Sequence, residues 1–406
     1  MLSQHRDSIT LYHKLKDRPI QCDQTLGVTV LKRLKGASPG VGGATLLTAY
    51  MDGNPVVIKV FPNDCPVKYL RGAVRGAAVR DYGDYEPGTG LMLTEQLILP
   101  GLTQNITTCY NQTVCDPAYD TVVSLCTRQS LIPKPSYPMP NVSRCQENDH
   151  PLCIMDSVYR SVSTQGHFEV PPRSDAVRFM MVEKCAGDIQ GLIELFGDKR
   201  HESIETFDHS LYKMLFMTFH ALILLDCIFD GYSHKDLGAR NVLYTFDPHQ
   251  RPRTTSCLTN TYYRYLLPSG DNFITVDISS NTLIPKIWDF AFVRYGNAAQ
   301  YQDYYKHLGT TPTLASIVGE GRENDVYVLL NDIDRLMRTN GITDSMFNTL
   351  NLESVQRARN NTGAVYSFFA LCPLSEDLLG NKDHIVVHTF PANLTVFNHL
   401  NLERSI

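Results

Sequence analysis

The sequence is short of long apolar runs, of excess basic charge and of paired cysteines, and each shortage narrows what the chain can be. Its longest apolar stretch, Met214 to Leu225, is broken by Thr218 and His220 and is too short to span a bilayer, so it reads as a buried helix and no membrane span is expected. The first residues, Met1-Leu-Ser-Gln-His-Arg-Asp, are polar from the start and carry no charged-then-apolar leader, so secretion is not expected. Lys and Arg number 37 against 42 Asp and Glu, and the net charge of -5 gives no electrostatic case for a nucleic-acid partner. The eleven cysteines run from Cys22 to Cys372 without a C-x-x-C pair, and reduced thiols are expected. Five of them (Cys109, Cys115, Cys126, Cys145, Cys153) share one stretch, but their spacing matches no zinc motif. Without secretion, the sequons at Asn105, Asn111, Asn141, Asn360 and Asn393 read as chance matches. No internal repeat is present.

What is there suits a soluble globular enzyme. Hydrophobic residues make up 43% of the 406, with 17 Phe and 21 Tyr, enough for a sizeable core. Residues 26 to 61 predict three antiparallel strands, Val28 to Lys35, Thr45 to Met51 and Val56 to Phe61, the last two joined by the turn Asp52-Gly53-Asn54-Pro55. Gly72 to Gly90 is too glycine-rich for a long regular element, whereas Leu91 to Leu99 predicts a helix carrying Glu95. From about 100 to 172 the composition turns to Asn, Thr, Cys and Pro, which predicts a long insertion with little periodic structure. Val177 to Glu183 predicts a further strand. Leu211, Met214, Leu215, Thr218, Phe219, Leu222 and Leu225 then recur every three or four residues, the stripe of a core helix. A β-rich beginning and a mostly helical remainder predict an α+β enzyme with two lobes.

Four segments carry chemistry. Tyr232-Ser-His-Lys-Asp-Leu-Gly-Ala-Arg-Asn241 satisfies H-x-D-L-x-x-x-N. Phosphoryl transfer needs a carboxylate to accept the proton of the attacking hydroxyl and an amide oxygen to help hold a metal, and Asp236 and Asn241 have those types at that spacing. Alone, the same residues also suit a core histidine and a helix cap. Pro285-Lys-Ile-Trp-Asp-Phe-Ala291 reads as a strand ending in Asp289, an acidic side chain placed to bind Mg²⁺, or else an aspartate opening a turn. Val56-Val-Ile-Lys59-Val-Phe puts an ammonium in an otherwise apolar strand, where it needs phosphate oxygens or a carboxylate as partner, Glu95 being the candidate; an edge-strand lysine facing solvent is the bland alternative. Gly36, Gly40, Gly42 and Gly43 form a turn between the first two strands whose N–H groups can approach phosphates, although the spacing departs from G-x-G-x-x-G and no Gly-Lys-Ser/Thr follows. Each segment has a bland reading; their order does not.

From about Leu26 to Met337 these residues resemble the eukaryotic-type protein kinase superfamily. The resemblance implies ATP and Mg²⁺ as cofactors and a protein substrate. It places Lys59 on the α- and β-phosphates and paired with Glu95, and Gly36, Gly40 and Gly42 over the nucleotide. Glu183 and Cys185 would form the hinge that meets adenine, with Val182 as gatekeeper. Asp236 would be the catalytic base, Asn241 and Asp289 the metal ligands, and Asp325 the brace of the catalytic loop. The lobes implied are 1–183, including the insertion at about 100–172, and 184–406, including an extended hairpin at about 245–284. That hairpin, within the 47 residues between Asn241 and Asp289, resembles the kinases of large DNA viruses and implies the host cytoplasm, with association with the virion.

Departures from the family pattern give the alternative of a pseudokinase acting as a binding or virion scaffold. Lys235 replaces the usual arginine, Ala291 replaces the glycine after Asp-Phe, and no Ala-Pro-Glu follows. Asp-Leu-Gly-Ala-Arg-Asn stands one residue from the tyrosine-kinase form, which leaves Ser/Thr against Tyr undecided.

Overall fold

The structure is a computed structural model that describes residues 3–16, 28–33, 45–62, 66–67, 80–115, 177–198, 203–229, 231–246, 261–266, 272–278, 283–295, 324–373 and 388–389. The chain begins with helix α1 (Ser3–Lys16) and enters strands β1 (Val28–Arg33), β2 (Thr45–Met51) and β3 (Asn54–Pro62). The Asp52-Gly53 turn has both residues at positive φ, 48° and 79°, as a tight β2–β3 connection requires. Helix α2 (Tyr82–Leu93) runs into a π-helical turn at Thr94–Ile98, and strands β4 (Cys109–Cys115) and β5 (Val177–Glu183) complete the sheet. The strand order is β1-β2-β3-β5-β4, every pair antiparallel.

Two sequence expectations fail here. Helix α2 starts inside the glycine-rich segment, and it does so because tertiary packing overrides local propensity. A Cβ at Gly90 would lie 2.8 Å from Met180 Cε and 3.2 Å from Cys109 Cβ, so glycine is what lets the helix rest this closely on the sheet. The Asn/Thr/Cys composition also hides β4, whose strand character comes from pairing along β5. The remainder of the expected insertion, 116–172, lies outside the described residues.

After β5 come the short strand β6 (Gly187–Asp188), helix α3 (Ile189–Asp198) and the core helix α4 (Ile204–Ile228). At 25 residues α4 outruns the apolar stretch read from sequence and is, by length and composition alone, long enough to cross a membrane. Most of its apolar surface is buried against the rest of the protein instead. Strands β7 (Val242–Phe246) and β10 (Leu283–Ile287) pair antiparallel in a second sheet, with β6 on the other edge of β7. Between them β8 (Thr261–Leu266) and β9 (Asn272–Ile278) form an antiparallel hairpin. Helices α5 (Asp325–Thr339), α6 (Glu353–Gln356) and α7 (Asn361–Leu371) close the helical part, the side chains of Asn324 and Asn360 capping α5 and α7. One apolar core joins α4, α5 and α7 to Leu97, Ile98 and Ile106 at the end of α2. The arrangement is α+β.

Candidate active site

Lys59 lies in the middle of β3, opposite Leu46 of β2 and Met180 of β5. Alternation along β3 puts Val57 and Lys59 on the same face, where Val57 packs in one cluster with Val182 and Trp288. The ammonium is almost wholly buried. It donates to Glu86 Oε1 at 2.6 Å and to Asp289 Oδ1 at 2.9 Å, and it sits 5.0 Å from the centroid of the Trp288 ring. A lysine in this apolar strand has thus found two carboxylates rather than solvent.

The helix partner of Lys59 is Glu86, which corrects the expectation for Glu95. The two glutamates are nine residues apart, about two and a half α-helical turns, so on one helix they face opposite ways. Glu86 looks into the site, while Glu95, in the π-turn, accepts a 2.6 Å hydrogen bond from the Tyr12 hydroxyl of α1. Sequence reasoning missed Glu86 because Pro87, Gly88 and Gly90 follow it directly.

The loop holding Asp236 is fixed from below by α5. Asp325 accepts from His234 N at 2.7 Å and Lys235 N at 3.0 Å, and Asn361 Nδ2 donates to the same carboxylate at 2.8 Å. Those bonds hold Lys235 at φ 68°, a left-handed conformation costly for a residue with a long side chain. Asn241 Nδ2 donates to Asp236 O at 2.6 Å and Oδ2 at 3.1 Å, and Arg240 pairs with the Asp236 carboxylate at 3.1 Å. The segment of Asp289 is sewn to this loop: Trp288 N donates to Asn241 O at 3.0 Å, and His234 Nε2 lies 2.9 Å from Trp288 O. Asp289 itself has φ 66°, so strained backbone falls in both motifs.

Charge is unevenly shared around Lys59. Burial would push Asp289 up, but the Lys59 ammonium outweighs it and holds the carboxyl below its usual range. Burial drives Glu86 the other way, to about 7, with Asp289 reinforcing the rise and Lys59 opposing it. Lys59, disfavoured by burial, is raised by Asp289 and Glu86 and stays a cation. One ammonium thus serves two carboxylates. Asp289 keeps its charge, with 26% of its side chain exposed, whereas Glu86 is sealed in at 4%.

Among the described residues no group of three or more His, Cys, Asp or Glu could hold a metal. Mg²⁺ needs no such cage, since it is commonly held by one or two protein oxygens plus phosphate oxygens and water. Asp289 and Asn241 fit that role: Asp289 stays ionised, and Asn241 spends its Nδ2 on Asp236, leaving its amide oxygen as the available donor atom.

Glu183 and Cys185 flank the end of β5. The Glu183 carboxylate accepts from Thr108 N and Oγ1, both at 3.2 Å, and pairs with the buried Lys286 at 3.0 Å. Cys185 is half-buried, and burial, with Glu183 nearby, pushes its thiol well up. Lys286 carried the same sequence signal as Lys59, an ammonium among apolar strand residues, and was overlooked. Gly36, Gly40 and Gly42 lie outside the described residues.

The structure therefore brings Lys59 and Asp289 together, binds Asp236 to Asn241, and sets Glu95 apart. No family model matches the chain. No curated protein matches it either. Among solved structures it is similar to the MAP kinase LmaMPK10 from Leishmania major, at 16% identity and a TM-score of 0.25 over 59% of this chain and 47% of that one. It is also similar to WaaP, solved in complex with acyl carrier protein, at 11% identity and a TM-score of 0.26 over 77% and 78%. The chain thus spans about half the length of the MAP kinase it matches.

Proposed function

We propose that the chain has a two-lobed protein kinase-like fold and is an ATP- and Mg²⁺-dependent protein kinase that transfers the γ-phosphate to a protein hydroxyl. The observation that carries this reading is the convergence of Lys59, Glu86 and Asp289 beside an Asp236–Asn241 pair bonded to the same strand end. Lys59, held by Glu86, would lie against phosphate oxygens. Asp236 would accept the proton as the hydroxyl oxygen bonds to the γ-phosphorus and the bond to the departing ADP oxygen breaks. Mg²⁺, when held by Asp289 and Asn241, supplies charge neutralisation at the phosphates. Val57, Val182 and Trp288 offer apolar surface for the base, with Glu183 and Cys185 at its edge. The β8–β9 hairpin is the feature that supports the likeness to the kinases of large DNA viruses, and with it a site of action in the host cytoplasm or virion.

Asp236→Asn tests the reading. It should cut phosphotransfer to the protein itself or to a generic acceptor by roughly 10²- to 10⁴-fold while thermal unfolding stays unchanged. Unchanged transfer would remove Asp236 from the chemistry. If wild-type protein shows neither transfer nor stabilisation by Mg²⁺-ATP, the scaffold reading replaces this one.

A further inference from the structure

The contact that drew Glu95 away from Lys59 has its own use. Tyr12 is buried on α1, its hydroxyl 2.6 Å from Glu95 Oε1, and Glu95 belongs to the π-turn that continues α2. The neighbouring Leu15 is equally buried, and its carbonyl accepts from Asn111 Nδ2 of β4 at 3.0 Å. Helix α1 is therefore fixed to the sheet by its last turn and to the end of α2 by Tyr12.

At that point α2 is held from two sides. Thr94 Oγ1 donates to Gly90 O and accepts from Cys109 N, both at 2.9 Å, which ties the π-turn to β4. The Tyr12–Glu95 bond restrains the next residue of the same turn. Glu86 and Glu95 lie on one continuous helical run, Tyr82–Leu93 and Thr94–Ile98, so a rotation of that run about its axis that let Glu95 move would swing Glu86 away from Lys59. Single π-turns sit inside helices as local irregularities and tend to mark functional sites.

We propose that Tyr12 is a positioning residue: through Glu95 it holds α2 at the rotation that presents Glu86 to Lys59. The proposal rests on the phosphotransfer reading for its consequence on nucleotide binding, but not for its geometry. Helix α1 thereby becomes part of the apparatus that assembles the site, although none of its residues touches Lys59.

The single tryptophan of the chain makes this testable without catalysis, since Trp288 packs against the Lys59 ammonium and its emission reports on that surrounding alone. In full-length protein, Tyr12→Phe keeps the ring and removes the donor. It should shift Trp288 emission and weaken Mg²⁺-ATP binding about tenfold, the scale of a lost hydrogen bond to a charged group. Glu95→Leu, breaking the same bond from the other side, should reproduce both changes. In a Glu86→Gln background Tyr12→Phe should add little to either, because the two act through one contact. Lowered thermal stability with unmoved Trp288 emission would reduce the bond to packing and overturn the proposal, as would an undiminished effect in the Glu86→Gln background. Were wild-type protein to bind no nucleotide, the kinase reading would fall, while the emission of these variants would still decide the role of Tyr12.

Discussion

Lys59 in β3 and Lys286 in β10 occupy similar surroundings. Each is an ammonium in an apolar strand, each is buried, and each lies within 3.0 Å of a carboxylate. The difference is in the accounting of charge. Among the described residues Lys286 meets a single carboxylate, that of Glu183, which Thr108 also satisfies through two donors. Lys59 meets two, Glu86 and Asp289, and the Asp289 carboxylate keeps a quarter of its surface exposed. A balanced pair is a closed structural joint between β5 and β10. In the trio one ammonium is shared by two carboxylates, so Asp289 keeps its charge on a partly exposed side chain while buried Glu86 is pushed towards its protonated form.

That contrast predicts different losses. On the kinase reading, Lys59→Met should lower the phosphotransfer rate by about 10²-fold or more, and it should also lower the unfolding temperature, because Glu86 and Asp289 lose the cation they share. Lys286→Met should instead cost about 3 kcal/mol of stability by stranding the Glu183 carboxylate, and Glu183→Gln in the same chain should recover most of it. Denaturant unfolding and initial-rate assays on the three variants separate the cases. If Lys286→Met abolished transfer at unchanged stability, the two lysines would not differ in kind.

The segments of the candidate site were legible because side-chain type, spacing and order are all constrained there: Asp236 and Asn241 five apart, Asp289 at a strand end, Lys59 among β-formers. The strands Thr45–Met51 and Val177–Glu183 were legible because alternation and β-branched residues record a half-buried surface. Glu86 was not, because the helix that carries it is written in residues that oppose helix formation, Gly83, Pro87, Gly88 and Gly90, and exists by virtue of its contact with β4 and β5. β4 was lost for a related reason: Cys109 to Cys115 has the composition of a loop and becomes a strand only in the company of β5. Lys286 fails differently. Its signal was present in Pro285-Lys-Ile-Trp, but the neighbouring Asp289 offered a motif and drew the reading to itself.

The close approach of α2 to the sheet can be broken directly. Gly90→Val would drive a branched side chain into Met180 and Cys109, both buried, and should cost about 1–3 kcal/mol through overpacking. It should also weaken Mg²⁺-ATP binding, since α2 must lift and carry Glu86 from Lys59. A loss of stability without any loss of nucleotide binding would separate α2 from the site.

The smallest effect concerns protons. With its folded-state pKa raised to about 7, Glu86 is favoured by the fold in its protonated form. Its contribution to stability is therefore fully present below the ordinary glutamate value of about 4.3 and is lost as pH rises through about 7. Glu86→Gln has no proton to lose there. Between pH 5 and pH 8 the unfolding temperature of the wild-type protein should fall relative to that of Glu86→Gln, by on the order of a few degrees. Taking the difference between the two proteins cancels the histidines and other groups that titrate in both. A parallel pair of curves would mean that Lys59 holds Glu86 ionised as firmly as Asp289, and that the trio is less lopsided than its geometry indicates.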